Sequence, residues 1–349
     1  MDYLIMQHPG HNRVYYLTAD KLALAELKIA ATRFSVPSQA PDVMEIEGIR
    51  YLHLRTDGQL SEDDLHILSR LSFVFALFYL QKNADTSYLL PIRKKDYEYL
   101  DGKISSVQKY QGKTNELFTK MMLNIALLSS DFHYQDKLQM MDPVAGRGTT
   151  LFEASVYGYD AYGVEIDAKS VHETGVFFKK YLEQERLKHA VEQRRIAGSK
   201  KSNAVVIKDF KFAKSPHTFK KKQERKTLAL VQGNAQYTAQ YFKAKTFHFI
   251  VGDLPYGIVH GNATHKKRGT LTRNPSELLE QCLADWHKVL KPGGVVVVAW
   301  NAFLVSRHQL SQVFENFGFK VLSGAPYDEF EHRVDKAIKR DLVVAKKVH

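Results

Sequence analysis

The 349-residue chain, 44% hydrophobic and 25% charged, is long enough for two domains and too rich in apolar side chains for wholesale disorder or a collagen-like repeat. Its single cysteine, Cys282, excludes an intrachain disulfide and any multi-cysteine zinc or iron–sulfur centre, and points to a reducing, cytoplasmic compartment. The net charge of +12 is unevenly spread: −2 over residues 1–100, −2 over 101–184, +10 over 185–226 and +6 over 227–349. Such a localised field suits a polyanionic partner, nucleic acid first.

In chain order, residues 1–100 predict a small α+β domain, acidic overall and a candidate RNA-recognition unit. Its expected elements are a strand over 14–17, a helix from Asp20 to about Arg33, and strands over 43–46 and 51–54. A further helix is signalled by Ser61 with Asp64 three positions later, an acidic capping pattern that leads into the apolar face Leu65, Leu68, Leu71 and Phe75. A strand over 88–92 and a polar linker over 93–109 complete the unit. The start of the chain lacks the pattern of a secretory signal. The longest apolar run, 73–80, is eight residues, against the ~20 that cross a bilayer as a helix.

Residues 101–349 alternate helical and β-rich runs from Tyr110 onward, the pattern of a doubly wound α/β sheet. The expected strands lie over 138–141, 161–165, 228–232, 247–252, 295–300, 319–322 and 342–345. A helix carrying Leu117, Met121, Ile125 and Leu128 on one face precedes the first of them.

After the first strand comes Asp142-Pro143-Val144-Ala145-Gly146-Arg147-Gly148-Thr149-Thr150, followed by a helix over 151–157. Glycines at 146 and 148 allow a sharp turn and close backbone approach, and the helix offers its N-terminal N–H groups to a ligand. The second strand ends in Glu165, at about the ~20-residue interval where a carboxylate meets ribose hydroxyls in nucleotide-binding βαβ units. Leu151 stands where a dinucleotide fingerprint has its third glycine, so a smaller nucleoside is favoured. A carboxylate at Asp142 suits a ligand with an amino group, such as the methionine end of S-adenosylmethionine. Asn234 and Ala235 after the third strand either approach an adenine or form an ordinary polar turn.

The fourth strand runs into Gly252-Asp253-Leu254-Pro255-Tyr256-Gly257, which resembles the Asp/Asn-Pro-Pro-Tyr/Phe motif of amino-group methyltransferases. Together with the Asp142–Thr149 turn, Tyr162-Gly163-Val164-Glu165-Ile166-Asp167, and Lys291-Pro292-Gly293-Gly294, it is similar to the tRNA guanine-N2 methyltransferases. The nearest branch is that of the eukaryotic enzyme for tRNA position 10. The resemblance covers residues 110–349 and implies a Rossmann-like seven-strand methyltransferase domain with S-adenosylmethionine as cofactor. It implies cofactor contacts from Asp142, Pro143, Ala145, Gly146, Gly148 and Thr149 in the turn, and from Glu165, Ile166, Asn234, Ala235 and Asp253 beyond it. Lys113 or Thr114 either reaches the methionine carboxylate or serves as a helix cap and solvated lysine.

An exocyclic amine is a poor nucleophile because its lone pair is delocalised into the base. Asp253 and the carbonyl of Leu254 can accept its two hydrogens, with Pro255 stiffening the turn and Tyr256 stacking on the base. Leu254 departs from the family's proline, which bears on the turn's rigidity rather than on its acceptor carbonyl.

The basic segment 185–226 lies where one helix normally suffices. Its cations, Lys220, Lys221 and Lys222 among them, and its interleaved Phe210, Phe212 and Phe219 read as an RNA-contacting arm or as a solvated loop. Lys266, Lys267 and Arg268 are better placed to meet substrate. Fifteen histidines show no metal-ligand spacing, so no metal is expected. Cys282 reads as a core residue without the preceding proline of a nucleophile for ring-carbon methylation. The expected function is methylation of an exocyclic amine, guanine N2 of tRNA first. The other readings are DNA adenine-N6 or cytosine-N4, a protein glutamine, or a non-catalytic RNA-binding subunit; a requirement for an activating protein subunit stays open.

Overall fold

The computed structural model describes residues 1–9, 13–83, 86–108, 113–196, 205–256 and 274–348. They divide into two units, Met1–Tyr97 with Ser323–Leu342, and Glu98–Leu322 with Val343–His349.

The first unit contains β1 (Asp2–Gln7), α1 (Arg13–Ala31), β2 (Asp42–Ile46), β3 (Ile49–Arg55), α2 (Glu62–Arg70), β4 (Val74–Asn83) and β5 (Thr86–Ile92). The strands form an antiparallel five-stranded sheet in the order β2-β3-β1-β4-β5. The strand expected over 14–17 is instead the first turn of α1, and β1, which the sequence did not signal, is the central strand. Val14, Tyr15 and Tyr16 favour β structure locally, but Tyr3, Leu4 and Ile5 take the buried central place. Helix α2 starts as expected, with Ser61 and Asp64 forming a reciprocal capping box. It stops at Arg70, so Phe75 falls on β4 and is 47% exposed rather than on the helix face.

The second unit begins with α3 (Lys103–Val107), α4 (Glu116–Ser129), β6 (Gln139–Asp142), α5 (Thr149–Val156), β7 (Asp160–Glu165) and α6 (Ala168–Gln184). Next are β8 (Lys188–Ile196), β9 (Val205–Ala213), α7 (Pro216–Lys220), β10 (Lys226–Gln232), α8 (Thr238–Tyr241) and β11 (Phe247–Asp253). It continues through α9 (Pro275–Val289), β12 (Leu290–Asn301), α10 (Arg307–Asn316) and β13 (Phe319–Leu322). The short β14 (His332–Arg333) lies in the 323–342 segment, and β15 (Lys339–Lys347) leads back into the large sheet.

That sheet has the order β13-β15-β12-β11-β6-β7-β10-β9-β8. Its centre, β10-β7-β6-β11-β12, is parallel, and β15 is antiparallel to β13. All seven strands expected from the sequence are present in a Rossmann-like α/β arrangement. From β6 the chain moves outward to β7 and β10, then returns to the other side of β6 as β11. Strands β6 and β11 therefore flank the topological switch point, where ligands bind outside the carboxyl ends of such sheets.

Two expectations are corrected. The stretch 93–109 is not a free linker in its described part: Tyr99 N–H donates to the Val156 carbonyl at 2.6 Å, and Leu100 and Ile104 are buried. The basic segment is neither a single arm nor a loop, because β8 and β9 form a hairpin that extends the sheet beyond β10. Phe210 and Phe212, expected to meet bases, are fully buried and pack edge-on against Phe178 at 5.3 and 5.4 Å between ring centroids.

Candidate functional site

The carboxyl ends of β6, β7 and β11 bring three acidic side chains to one edge of the sheet. Asp142 ends β6, where its Oδ1 accepts the Val144 N–H at 3.0 Å. It is 2% exposed, and burial pushes its carboxyl up to about 7, with Glu165 and Asp253 adding repulsion. Glu165 ends β7; its Oε2 accepts the Gly146 N–H and its Oε1 the Asp167 N–H, both at 2.8 Å. Burial raises its carboxyl too, against those two hydrogen bonds.

The turn between β6 and α5 depends on its glycines. Gly146 (φ +49°) and Gly148 (φ +85°) are left-handed, and a Cβ on Gly148 would meet Thr174 Cγ2 at 2.8 Å, whereas one on Gly146 would enter open space. Pro143 and Ala145 are buried; Ala145 N–H bonds the Val164 carbonyl at 3.0 Å, and Thr149 begins α5. Ile166 is half-buried beside Glu165.

Across the switch point, Gly252 lets the ends of β6 and β11 approach: a Cβ there would lie 3.3 Å from Pro143 Cδ and 3.4 Å from Asp142 Oδ1. Asp253 closes β11. Thr114 Oγ1 donates to its Oδ2 at 2.5 Å, and the Tyr256 hydroxyl donates to its Oδ1. Leu254 N–H bonds the Ala299 carbonyl at 2.9 Å, and the Leu254 side chain is 1% exposed within the core that holds Ile250 and Val298. The residue in place of the family's proline thus faces inward, which explains why an apolar side chain satisfies the position. Pro255 is exposed and Tyr256 half-buried.

Other expected residues are placed differently. Asn234 caps its own turn, Oδ1 accepting the Gln236 N–H at 3.0 Å, which is the polar-turn reading, and the buried Ala235 gives its carbonyl to Trp286 Nε1. Lys113 is held by the Ser105 carbonyl at 2.5 Å and lies 3.4 Å from Glu116 rather than being solvated. Thr114 is not the cap of α4; Asn115 is, accepting from Leu117 and Phe118 N–H. No local signal announced the bond from Thr114 to Asp253, because its partner is 139 residues away. Also unannounced is the turn after β12, where Phe303 and Leu304 remain 52% and 48% exposed.

Lys220, Lys221 and Lys222 are exposed at the end of α7 and just beyond it, with Lys221 paired to Glu224 at 2.9 Å. Phe219 lies under the Arg225 guanidinium at 4.3 Å. Lys266, Lys267, Arg268 and Gly257 lie outside the described residues. Among the described residues no His, Cys, Asp and Glu group of three or more is gathered as a metal site, and no helix is long and apolar enough to cross a membrane. Cys282 is fully buried, and burial pushes its thiol up to about 12.

Residues 120–302 match the family described as the RMKL-like methyltransferase domain. No curated protein matches the chain significantly. Solved structures that it resembles include the carbon methyltransferase of CurJ, at 12% identity, TM-score 0.39, 72% of this chain and 57% of that one. An rRNA methylase from Streptococcus thermophilus is similar at 8% identity and TM-score 0.32, over 61% of this chain and 89% of that one. A geranyl diphosphate methyltransferase in complex with S-adenosylmethionine is similar at 10% identity and TM-score 0.38, over 67% and 85%. The family match spans more than half of the chain and contains the Asp142 turn, Glu165 and the Asp253 turn; the chain belongs to the RMKL-like methyltransferase domain family.

Proposed function

We propose that the chain methylates an exocyclic amino group of a nucleic-acid base, guanine N2 of tRNA first. The observation that carries this reading is Asp253, a carboxylate held at the end of β11 beside the switch point, with a Leu-Pro-Tyr turn following it. The residues present fit the cofactor: Gly146 faces open space, and Asp142 and Glu165 offer carboxylates to an ammonium group and to ribose hydroxyls. Bound there, S-adenosylmethionine supplies a methyl group on a sulfonium.

Asp253 accepts a hydrogen from the base amine, and the Leu254 carbonyl accepts the other, so the nitrogen lone pair turns out of conjugation toward the methyl carbon. Held at the edge formed by Asp142, Gly146 and Glu165, the cofactor would supply the methyl group with its thioether as leaving group, and the proton shed by the nitrogen would pass to water. Tyr256 supplies an aromatic face for the base. The exposed Lys220, Lys221 and Lys222 contribute phosphate contacts, and the first unit assists RNA recognition. The excess of cations in 185–226 favours nucleic acid over a protein glutamine, since the Asp253 turn suits either amine.

Incubating the protein with isotopically labelled S-adenosylmethionine and, separately, unmodified tRNA, rRNA, DNA and protein tests the reading. Label in N2-methylguanosine from tRNA is expected; label in another product keeps the site and replaces the substrate. Asp253→Ala should abolish transfer while weakening cofactor binding far less, as read by calorimetry, since the carboxylate acts chiefly on the acceptor amine.

A further inference from the structure

The carboxylate of Asp253 receives hydroxyl donors on both oxygens, and they come from differently anchored places. Tyr256 lies three residues on in the same turn and donates to Oδ1. Thr114 lies outside that turn, immediately before the cap of α4, and donates to Oδ2 at 2.5 Å. That element is firmly seated: Asn115 caps it, and Phe118, Met121, Met122 and Ile125 along it are fully buried. A carboxylate swings readily about its Cβ–Cγ bond, and a charge-assisted hydrogen bond from a fixed donor removes that freedom.

We infer that Thr114 is a positioning residue for the methyl-transfer step, holding Asp253 so that Oδ1 is the oxygen that meets the base amine. The inference rests on the reading of Asp253 given above. The Tyr256 hydroxyl satisfies Oδ1 in the protein without substrate and exchanges with the amine N–H when the base enters. Thr114 stays on Oδ2 throughout.

The test compares wild type, Thr114→Val, Thr114→Ser and Asp253→Ala on unmodified tRNA transcripts with labelled S-adenosylmethionine, alongside crystal structures of wild type and Thr114→Val. Valine keeps the shape and removes the donor; it should lower kcat about 10- to 100-fold, with KM for RNA and cofactor affinity within about twofold. Serine should restore kcat to within about threefold of wild type. In the valine variant the Asp253 carboxylate should be rotated. An unrotated carboxylate, or a valine variant with kcat within about twofold of wild type, overturns the inference while an inactive Asp253→Ala leaves the catalytic reading standing. An active Asp253→Ala overturns both. Should tRNA accept no methyl group, the two crystal structures decide the positioning role alone.

Discussion

Asp142 keeps a carboxyl group where water barely reaches, and its titration has consequences that can be measured. Its pKa in the folded protein, about 7, lies above the ordinary carboxylate value, so between pH 4 and 7 the native state holds a proton that the unfolded chain has released. Native stability associated with this group therefore falls as pH rises through that window. Glu153, pushed up to about 7 by burial, acts in the same direction. His248 and His332, pushed down to about 4 by burial, act in the opposite one: the stability that they contribute is present above pH 6.5 and lost as pH falls toward 4. Comparing urea midpoints at pH 5 and 8 for wild type and Asp142→Asn isolates the aspartate, and the variant should lose less stability between the two. A cationic ligand amine beside Asp142 would drive the proton off. Cofactor binding near pH 6 should thus release a proton in wild type and less in Asp142→Asn, read from calorimetric heats in buffers of different ionisation enthalpy. Asp142, Glu165 and Asp253 were legible in sequence because each sits at a fixed offset within its own strand–turn segment. Thr114 was singled out only as a cofactor contact or a helix cap; its bond to Asp253 was not legible, because that partner lies in a distant strand.

Hairpin β8–β9 separates two properties that composition alone had merged. Its lysines and arginines made the whole segment look like one RNA-binding arm, but Phe210 and Phe212 share one face of β9 and build the core against Phe178 of α6, while Ile207 joins the core on the other face. Phe210→Ala should destabilise the fold by about 3–5 kcal/mol, seen as a lower urea midpoint, without altering the salt dependence of RNA binding. Replacing Lys220, Lys221 and Lys222 with glutamine should do the reverse, leaving stability within about 0.5 kcal/mol. If all three meet phosphates, the slope of log affinity against log salt should flatten by roughly two. An unchanged slope would mark them as bystanders. The strand positions were foreseen because apolar runs between turn residues identify buried parallel strands. The hairpin was missed because β8, with its surface of Lys188, Arg194 and Arg195, has no apolar face that its own sequence reveals.

At the scale of the molecule, the chain returns from the second unit to the first over Ser323–Leu342 before re-entering the large sheet as β15. Within the first unit that segment buries Phe330 and Ile338, and Lys28 pairs with Glu329 at 2.8 Å. A fragment spanning residues 98–349 therefore keeps the segment but loses the rest of the unit that buries it. Limited proteolysis of that fragment should cut first within 323–342, whereas the full chain should resist there. A division at about residue 100 is what composition suggested; the second crossing is not visible in it, since nothing local distinguishes a strand that closes one unit from a segment that belongs to another.

The sequence by itself determined the seven-strand order of chemistry: an acid and glycine turn after the first strand, an acid after the second, and Asp253 with its Leu-Pro-Tyr turn after the fourth. These are local instructions, set by side-chain type, backbone conformation and spacing along the chain. Only the tertiary structure decided that Thr114 reaches Asp253, that Leu254 faces the core, that Asn234 spends its amide on its own turn, and that two phenylalanines of a basic segment are interior. Each of those depends on which distant atoms the folded sheet brings within a few ångströms, and such proximity is settled by packing rather than by neighbours in sequence.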